Sequence, residues 1–309
     1  MRSLAPSPAT FVDPATGAPA FGSYRGPLPR VVVPGLGLRD RFVRRKKWLY
    51  LAIAAEDVWI SLAVVRTGYA ATAFAFAYDL ATKAMLVDRT VLGPTPLSRI
   101  ADGPHDEGAV ARFAMGKTSF VLARGGSRLD VRVKIGGLEI EAALEESTAP
   151  PSISAIARLG DGLINATEKR ALTKVTGNAR IDGRAVDLSR ALGGWDYTHG
   201  LLPRHTKWNW AFALGKTLGQ CQGPLGDQAR VGAVQEHCRR HRGGRPFEAL
   251  QEGIGLVCFD SDHEVPVSGE PVSGETKLGA KDARQAPNIA GVTSGGFKPR
   301  ANNTSRAGS

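Results

Sequence analysis

The stretch "GGWDYTHGLLPRHTKWNWAFA", residues 193–213, holds three of the chain's five tryptophans, two of its six histidines and an aspartate. Asp196 sits between Trp195 and Tyr197, shortly before His199. A carboxylate held among aromatic rings can exchange a proton with a bound molecule, so Asp196 is the candidate acid or base. Further on, Lys207, Asn209 and Ala211 alternate with Trp208, Trp210 and Phe212, the period of a strand. The indoles of Trp208 and Trp210 would wall an apolar cavity. Tyr197, His199, Arg204 and Lys207 would supply its polar contacts. The plainer alternative is a core plugged by large aromatics, with Asp196 paired to Arg204 or Lys207.

Other candidate chemistry falls away on spacing. "GKT" occurs at Gly116 and again at Gly215, but a phosphate loop needs a glycine five residues earlier, where Ala111 and Trp210 stand. His237, Cys238 and His241, with Cys221 and Cys258, do not form the two close pairs of a zinc site, and arginines crowd them. Pro203 interrupts the strand that would put His199 and His205 on one face. The expectation is no metal and no cofactor.

The elements that must position Asp196 and its neighbours read as β-strands. Val58 to Val64 suits a strand buried on both faces, and Phe74, Phe76 and Tyr78 would share one face of another, although alanines there also suit a helix. The clearest pattern is "RLDVRVKIGGLEIEAALEE". Leu129, Val131, Val133 and Ile135 alternate with charges, and the alternation resumes after Gly136-Gly137. That predicts a hairpin with cations on one outer face opposite anions on the other. A second hairpin is predicted in "ALTKVTGNARIDGRAVDLS", with turns at Gly177-Asn178 and Asp182-Gly183. These spacings are too short for parallel crossovers, so the fold class is mainly β, an antiparallel barrel or sandwich.

The rest of the chain divides by composition. Residues 1–38 read as an extended, partly disordered lead-in rich in Pro, Gly and Ala, and 39–215 as the β domain. Residues 216–260 are poorly patterned, and 261–309, with the tandem "PVSGEPVSGE", read as a disordered tail. No Trp or Tyr follows residue 215, the mark that a shifted reading frame would leave. A net charge of +11 permits anionic partners. Its visible cluster is Arg39, Arg41, Arg44, Arg45, Lys46 and Lys47, which could dock on an anionic membrane; nucleic acid is not expected. The odd cysteine count and the lack of an apolar leader or span point to the cytoplasm.

"KKWLYLAI", "TGYAATAFAFAYD", "GNARIDG" and "WDYTHGLLPRHTKWNWA", in that order, resemble the family called domain of unknown function 2804. The last motif is the most specific. Its Asp196, Gly200, Trp208 and Trp210 are also similar to lipocalin-like relatives of carotenoid hydratases and tocopherol cyclases. That second resemblance implies a lipocalin-like barrel around an apolar ligand. The expected function is binding of a small apolar or lipid-like molecule, with isomerisation or cyclisation as the chemistry that Asp196 would add. The competing readings are a non-catalytic basic binder of anionic lipid or nucleic acid and an inactive, truncated or frameshifted product.

Overall fold

The computed structural model describes residues 4–33, 36–160, 162–204 and 210–214, with short strands at 250–251, 254–255 and 290–294. The fold is mainly β, as expected. In chain order the strands are β1 (Ala5–Pro6), β2 (Gly22–Arg25), β3 (Arg45–Ala54), β4 (Val58–Arg66), β5 (Ala70–Asp79) and β6 (Met85–Pro94). Then come β7 (Ser98–Ile100), β8 (Gly108–Met115), β9 (Thr118–Gly125), β10 (Arg128–Ile135) and β11 (Leu138–Glu145). β12 (Ile153–Gly160), β13 (Leu163–Ile181), β14 (Arg184–Val186), β15 (Leu192–Leu201) and β16 (Trp210–Leu214) follow. One helix, α1 (Leu38–Val43), precedes β3.

The main sheet runs β6-β5-β4-β3-β15-β13-β11-β10-β9-β8-β7, every neighbouring pair antiparallel. It curls so that β7, one end of the path, packs against β3 and β4, giving a nearly closed barrel. Inward residues such as Leu51, Ile60, Phe113, Phe120, Leu122 and Val131 form the main core. Gly136-Gly137 makes the predicted hairpin turn, with Ile135 opposite Leu138. Arg132 faces Glu141, and Lys134 bonds Glu139 at 2.6 Å, so the expected cross-strand charge pairing is present. "AFAFAYD" is a strand whose alanines Ala73, Ala75 and Ala77 point into the core. Phe74, Phe76 and Tyr78 share the other face, packed on an outer cluster with Tyr50, Trp59, Phe212 and Leu214.

Two expectations need correction. Gly177-Asn178 is not a turn. It lies inside β13, which pairs without a break with β11 from Lys174 to Ile181. The glycine answers a close approach: at φ +115° a Cβ would collide with the Glu141 carbonyl oxygen. Only Asp182-Gly183 turns the chain, into β14. The lead-in is extended but not loose. β2 pairs with β12, and Phe11, Leu28 and Val31 are buried in the main core. Their irregular spacing among Pro and Gly hides that role from periodicity. Of the segments read as poorly patterned or disordered, most lies outside the described residues; Ala290–Ser294 pairs antiparallel with β16.

Candidate functional site

β3 and β15 are neighbours, and directly opposed residues share a face. Arg45, Lys47, Leu49, Leu51 and Ile53 point inward, beside Leu201, His199, Tyr197, Trp195 and Gly193. The inward face therefore changes along these strands from aliphatic and aromatic to cationic. β4 adds Arg66, opposite Lys47.

Asp102, just beyond β7, is the counter-charge at this polar end. Its Oδ1 accepts from Lys47 Nζ at 2.6 Å and from Arg45 Nη2 at 2.7 Å. Lys47 Nζ also donates to the Ile100 carbonyl at 3.0 Å, and the Tyr197 hydroxyl donates to the Ala101 carbonyl at 2.8 Å. Burial brings Lys47 down to about 8, against the pull of Asp102. Burial, the largest single influence, pushes Asp102 upward, but the bond and charge of Lys47 together with the other groups around it outweigh burial, and the carboxyl lies below its usual range. Arg45 Nε donates to His199 Nε2 at 3.1 Å, which requires a lone pair there and puts the imidazole proton on Nδ1. Nδ1 lies 3.6 Å from Asp102, too far for a hydrogen bond. Burial, then Lys47 and Arg45, push His199 down to about 3, so the ring is neutral.

Two cavities open at this end. One, of about 310 Å³, is lined by Leu38, Arg41 and Phe42 of α1 and by Arg45, Lys47, Arg66, Thr67 and Gly68. The other, of about 450 Å³, shares Arg45, Lys47 and Arg66 and adds Arg30, Arg99, Asp102, Asp106 and Glu107 among its walls. α1 is seated by Gly68, where a Cβ would collide with the Phe42 carbonyl oxygen. Leu38 is 84% exposed and Phe42 58%, and the Phe42 ring leans on Tyr69 at 5.8 Å.

Deeper inside lies a second polar cluster. Arg124 makes a two-pronged bond to Glu146, both contacts at 3.0 Å, and the Trp195 indole donates to the same carboxylate at 2.7 Å. Arg170 Nε approaches it at 3.3 Å, misaligned for a hydrogen bond, so that contact is Coulombic. Glu168, fully buried on β13, accepts from the Leu28 N–H at 2.7 Å and bonds His105 Nε2 at 2.9 Å.

The residues singled out by sequence are therefore divided by strand parity. Tyr197 and His199 reach the polar end. Asp196 points to the opposite face of β15 and bonds Lys169 at 2.6 Å, a partner the sequence reading did not name. Arg204 is exposed beyond β15, and its carbonyl accepts from Lys46 Nζ at 3.2 Å. Lys207 and Trp208 lie outside the described residues, as does the side chain of Trp210. The second "GKT" and the His237–His241 set also lie outside them, while the first marks the turn between β8 and β9. The basic run does not make one surface either. Alternation turns Arg45 and Lys47 inward, leaving Arg39 and Arg41 on α1 and Arg44 at its C-terminal cap. The sequence reading missed Asp102, His105, Glu146 and Glu168. One signal was available: Arg45 and Lys47 share parity with Leu49, Leu51 and Ile53.

Fold and site together define a nearly closed antiparallel β-barrel with one polar, cavity-bearing end. The chain belongs to the family described as Domain of unknown function (DUF2804), whose model matches residues 8–228. Solved structures with a similar fold include a protein described as AttH from Nitrosomonas europaea, at 13% identity and TM-score 0.40 over 59% of this chain and 62% of that one. Kievitone hydratase from Nectria haematococca gives 11% and 0.39 over 68% and 61%. CghA with Sch210972 gives 16% and 0.42 over 64% and 61%. The chain thus spans about three fifths of each. At such scores these likenesses carry no functional argument. No curated protein matches. Among the described residues no helix is long and apolar enough to cross a membrane.

Proposed function

We propose that the chain binds a small apolar or lipid-like molecule at the polar end of its barrel. The observation that carries this is the pair of cavities sharing Arg45, Lys47 and Arg66, with Leu38 and Phe42 as an apolar lip. Their volumes lie in the range of small-molecule sites, which combine apolar walls with a few placed polar groups. Tyr197 and His199 support the floor through Ala101 and Arg45 rather than by lining the cavity. The acid expected for isomerisation or cyclisation, Asp196, faces away from this space, so the reading is of binding without an assigned reaction.

The test uses the neutral fluorophore N-phenyl-1-naphthylamine. Saturable enhancement that is weakened by Phe42→Asp supports the reading. No saturable binding, or binding indifferent to Phe42→Asp, overturns it.

A second reading has one observation in its favour. Exposed Leu38 and Phe42 stand beside Arg39 and Arg41 on α1, with Arg44 at its C-terminal cap, a pattern suited to the surface of an anionic membrane. Sedimentation with phosphatidylserine vesicles, lost on Phe42→Asp or in high salt, would support it; no sedimentation would exclude it.

A further inference from the structure

We propose that the shared floor of the two cavities receives the acid group, a carboxylate or a phosphate, of an amphiphile whose tail lies against Leu38 and Phe42. This rests on the binding reading above and names the class of ligand.

The argument is a local imbalance of charge. Arg45 and Lys47 occupy alternate positions of β3, and Arg66 is the direct cross-strand neighbour of Lys47, so three cations share one inward face. Asp102 is the carboxylate that answers them, and it is engaged by Arg45 and Lys47. Among the described residues Arg66 has no carboxylate within ion-pair distance, although it lines both cavities. The other acids of the larger cavity are committed. Asp106 pairs with Arg30 at 2.6 Å, and Glu107 accepts the Gly126 N–H at 3.1 Å.

Like charges on neighbouring strands repel, and burial makes this worse. Burial first, and then Arg45, hold the Arg66 guanidinium below its usual range. An anion seated between Arg66 and Lys47 removes that repulsion. A guanidinium fork also matches the paired oxygens of a carboxylate or phosphate. A bare inorganic ion would use the floor alone. The exposed Leu38 and Phe42 at the lip of the same cavity add a place for a hydrocarbon chain.

The experiment displaces N-phenyl-1-naphthylamine from the full chain with decanoate, decyl phosphate, decanol or inorganic phosphate. The expected result is that decanoate or decyl phosphate displaces at least about tenfold more tightly than decanol, as a charge-assisted bond implies. Added salt should weaken the anions and leave decanol unchanged. Arg66→Gln should remove most of the preference, and Arg66→Lys should keep part of it, with the melting temperature not lowered in either and raised in Arg66→Gln as the repulsion is relieved. If Arg66→Gln does not fold, the anion-to-decanol ratio and its salt dependence in the unaltered chain decide the matter. Tighter decanoate points to a free fatty-acid type of ligand, and tighter decyl phosphate to a phospholipid type. Equal displacement by decanol overturns the acid group while leaving the binding reading intact. Inorganic phosphate competing as well as decyl phosphate overturns the amphiphile. Loss of fluorophore binding itself takes down both readings.

Discussion

Glu146→Gln tests whether the inner polar cluster is a balanced unit. Arg124 is buried, and both of its terminal nitrogens lie 3.0 Å from the Glu146 carboxylate. Oε1 accepts from Arg124 and from the Trp195 indole, while Oε2 faces Arg124 and the Nε of Arg170. A glutamine can keep its carbonyl on the Oε1 side. Its amide then points N–H groups at the two guanidiniums on the Oε2 side, donor against donor. Two largely buried cations also lose their counter-charge. Removing one partner of a buried ion pair costs about 3–5 kcal/mol. With a urea m-value of about 2 kcal/mol per molar, the midpoint should fall by about 1.5–2.5 M. Tryptophan fluorescence in a urea titration reads this directly. A double replacement, Glu146→Leu with Arg124→Met, should recover part of the loss, because the buried charges of the pair leave together. A fall of less than about 0.5 M for Glu146→Gln, equivalent to about 1 kcal/mol at that m-value, would refute the balanced-unit account.

Two further perturbations bear on the polar end. His199 sits at about 3 when folded and near 6.5 when unfolded, so the unfolded chain binds more protons between those values. Its contribution to stability is complete above about pH 6.5 and is lost progressively as pH falls toward 3. His199→Gln should flatten stability against pH over that window, and nitrogen NMR of the unaltered ring should show the Nδ1–H tautomer at neutral pH; an unchanged slope or the opposite tautomer contradicts the assignment. At the lip, Gly68→Ala forces a Cβ toward the Phe42 carbonyl and should displace α1, lowering N-phenyl-1-naphthylamine affinity several-fold with the barrel intact. Unchanged affinity would detach α1 from the site.

The parts of the fold that could be read in sequence are those where one face is buried and the other wet. In β10 and β11 each residue's parity is visible, so the hairpin, its turn and the Lys134–Glu139 pair follow from alternation. β13 hides itself because its Gly177 imitates a turn residue while serving close strand contact. β15 is buried on both faces from Gly193 to Leu201, so nothing in its pattern tells which side faces the barrel interior. That is why Asp196, Tyr197 and His199 looked like one site, when adjacent positions on a strand must part. Asp102, His105 and Glu168 were out of reach for another reason. Asp102 and His105 lie in the segment after β7, and their partners Lys47 and Glu168 come from β3 and β13. Only barrel closure brings them together.

Closure also explains why the polar residues gather at one end. A barrel filled solely for stability has no need of buried cations, since well-packed apolar side chains do at least as well as buried ion pairs. β3 supplies such side chains at Leu49, Leu51 and Ile53 and then abandons them for Lys47 and Arg45. The change falls where β7 packs across onto β3 and β4, and where the Ile100 and Ala101 carbonyls accept from Lys47 and Tyr197. There the sheet's own hydrogen bonding has run out, and side chains bridge the walls in its place. Arg66, on the neighbouring strand with no ion pair among the described residues, needs a polar partner that aliphatic residues would exclude. The seam therefore holds the barrel closed and keeps its end polar. A ligand entering this end would have to satisfy Arg66 as well as fill the volume.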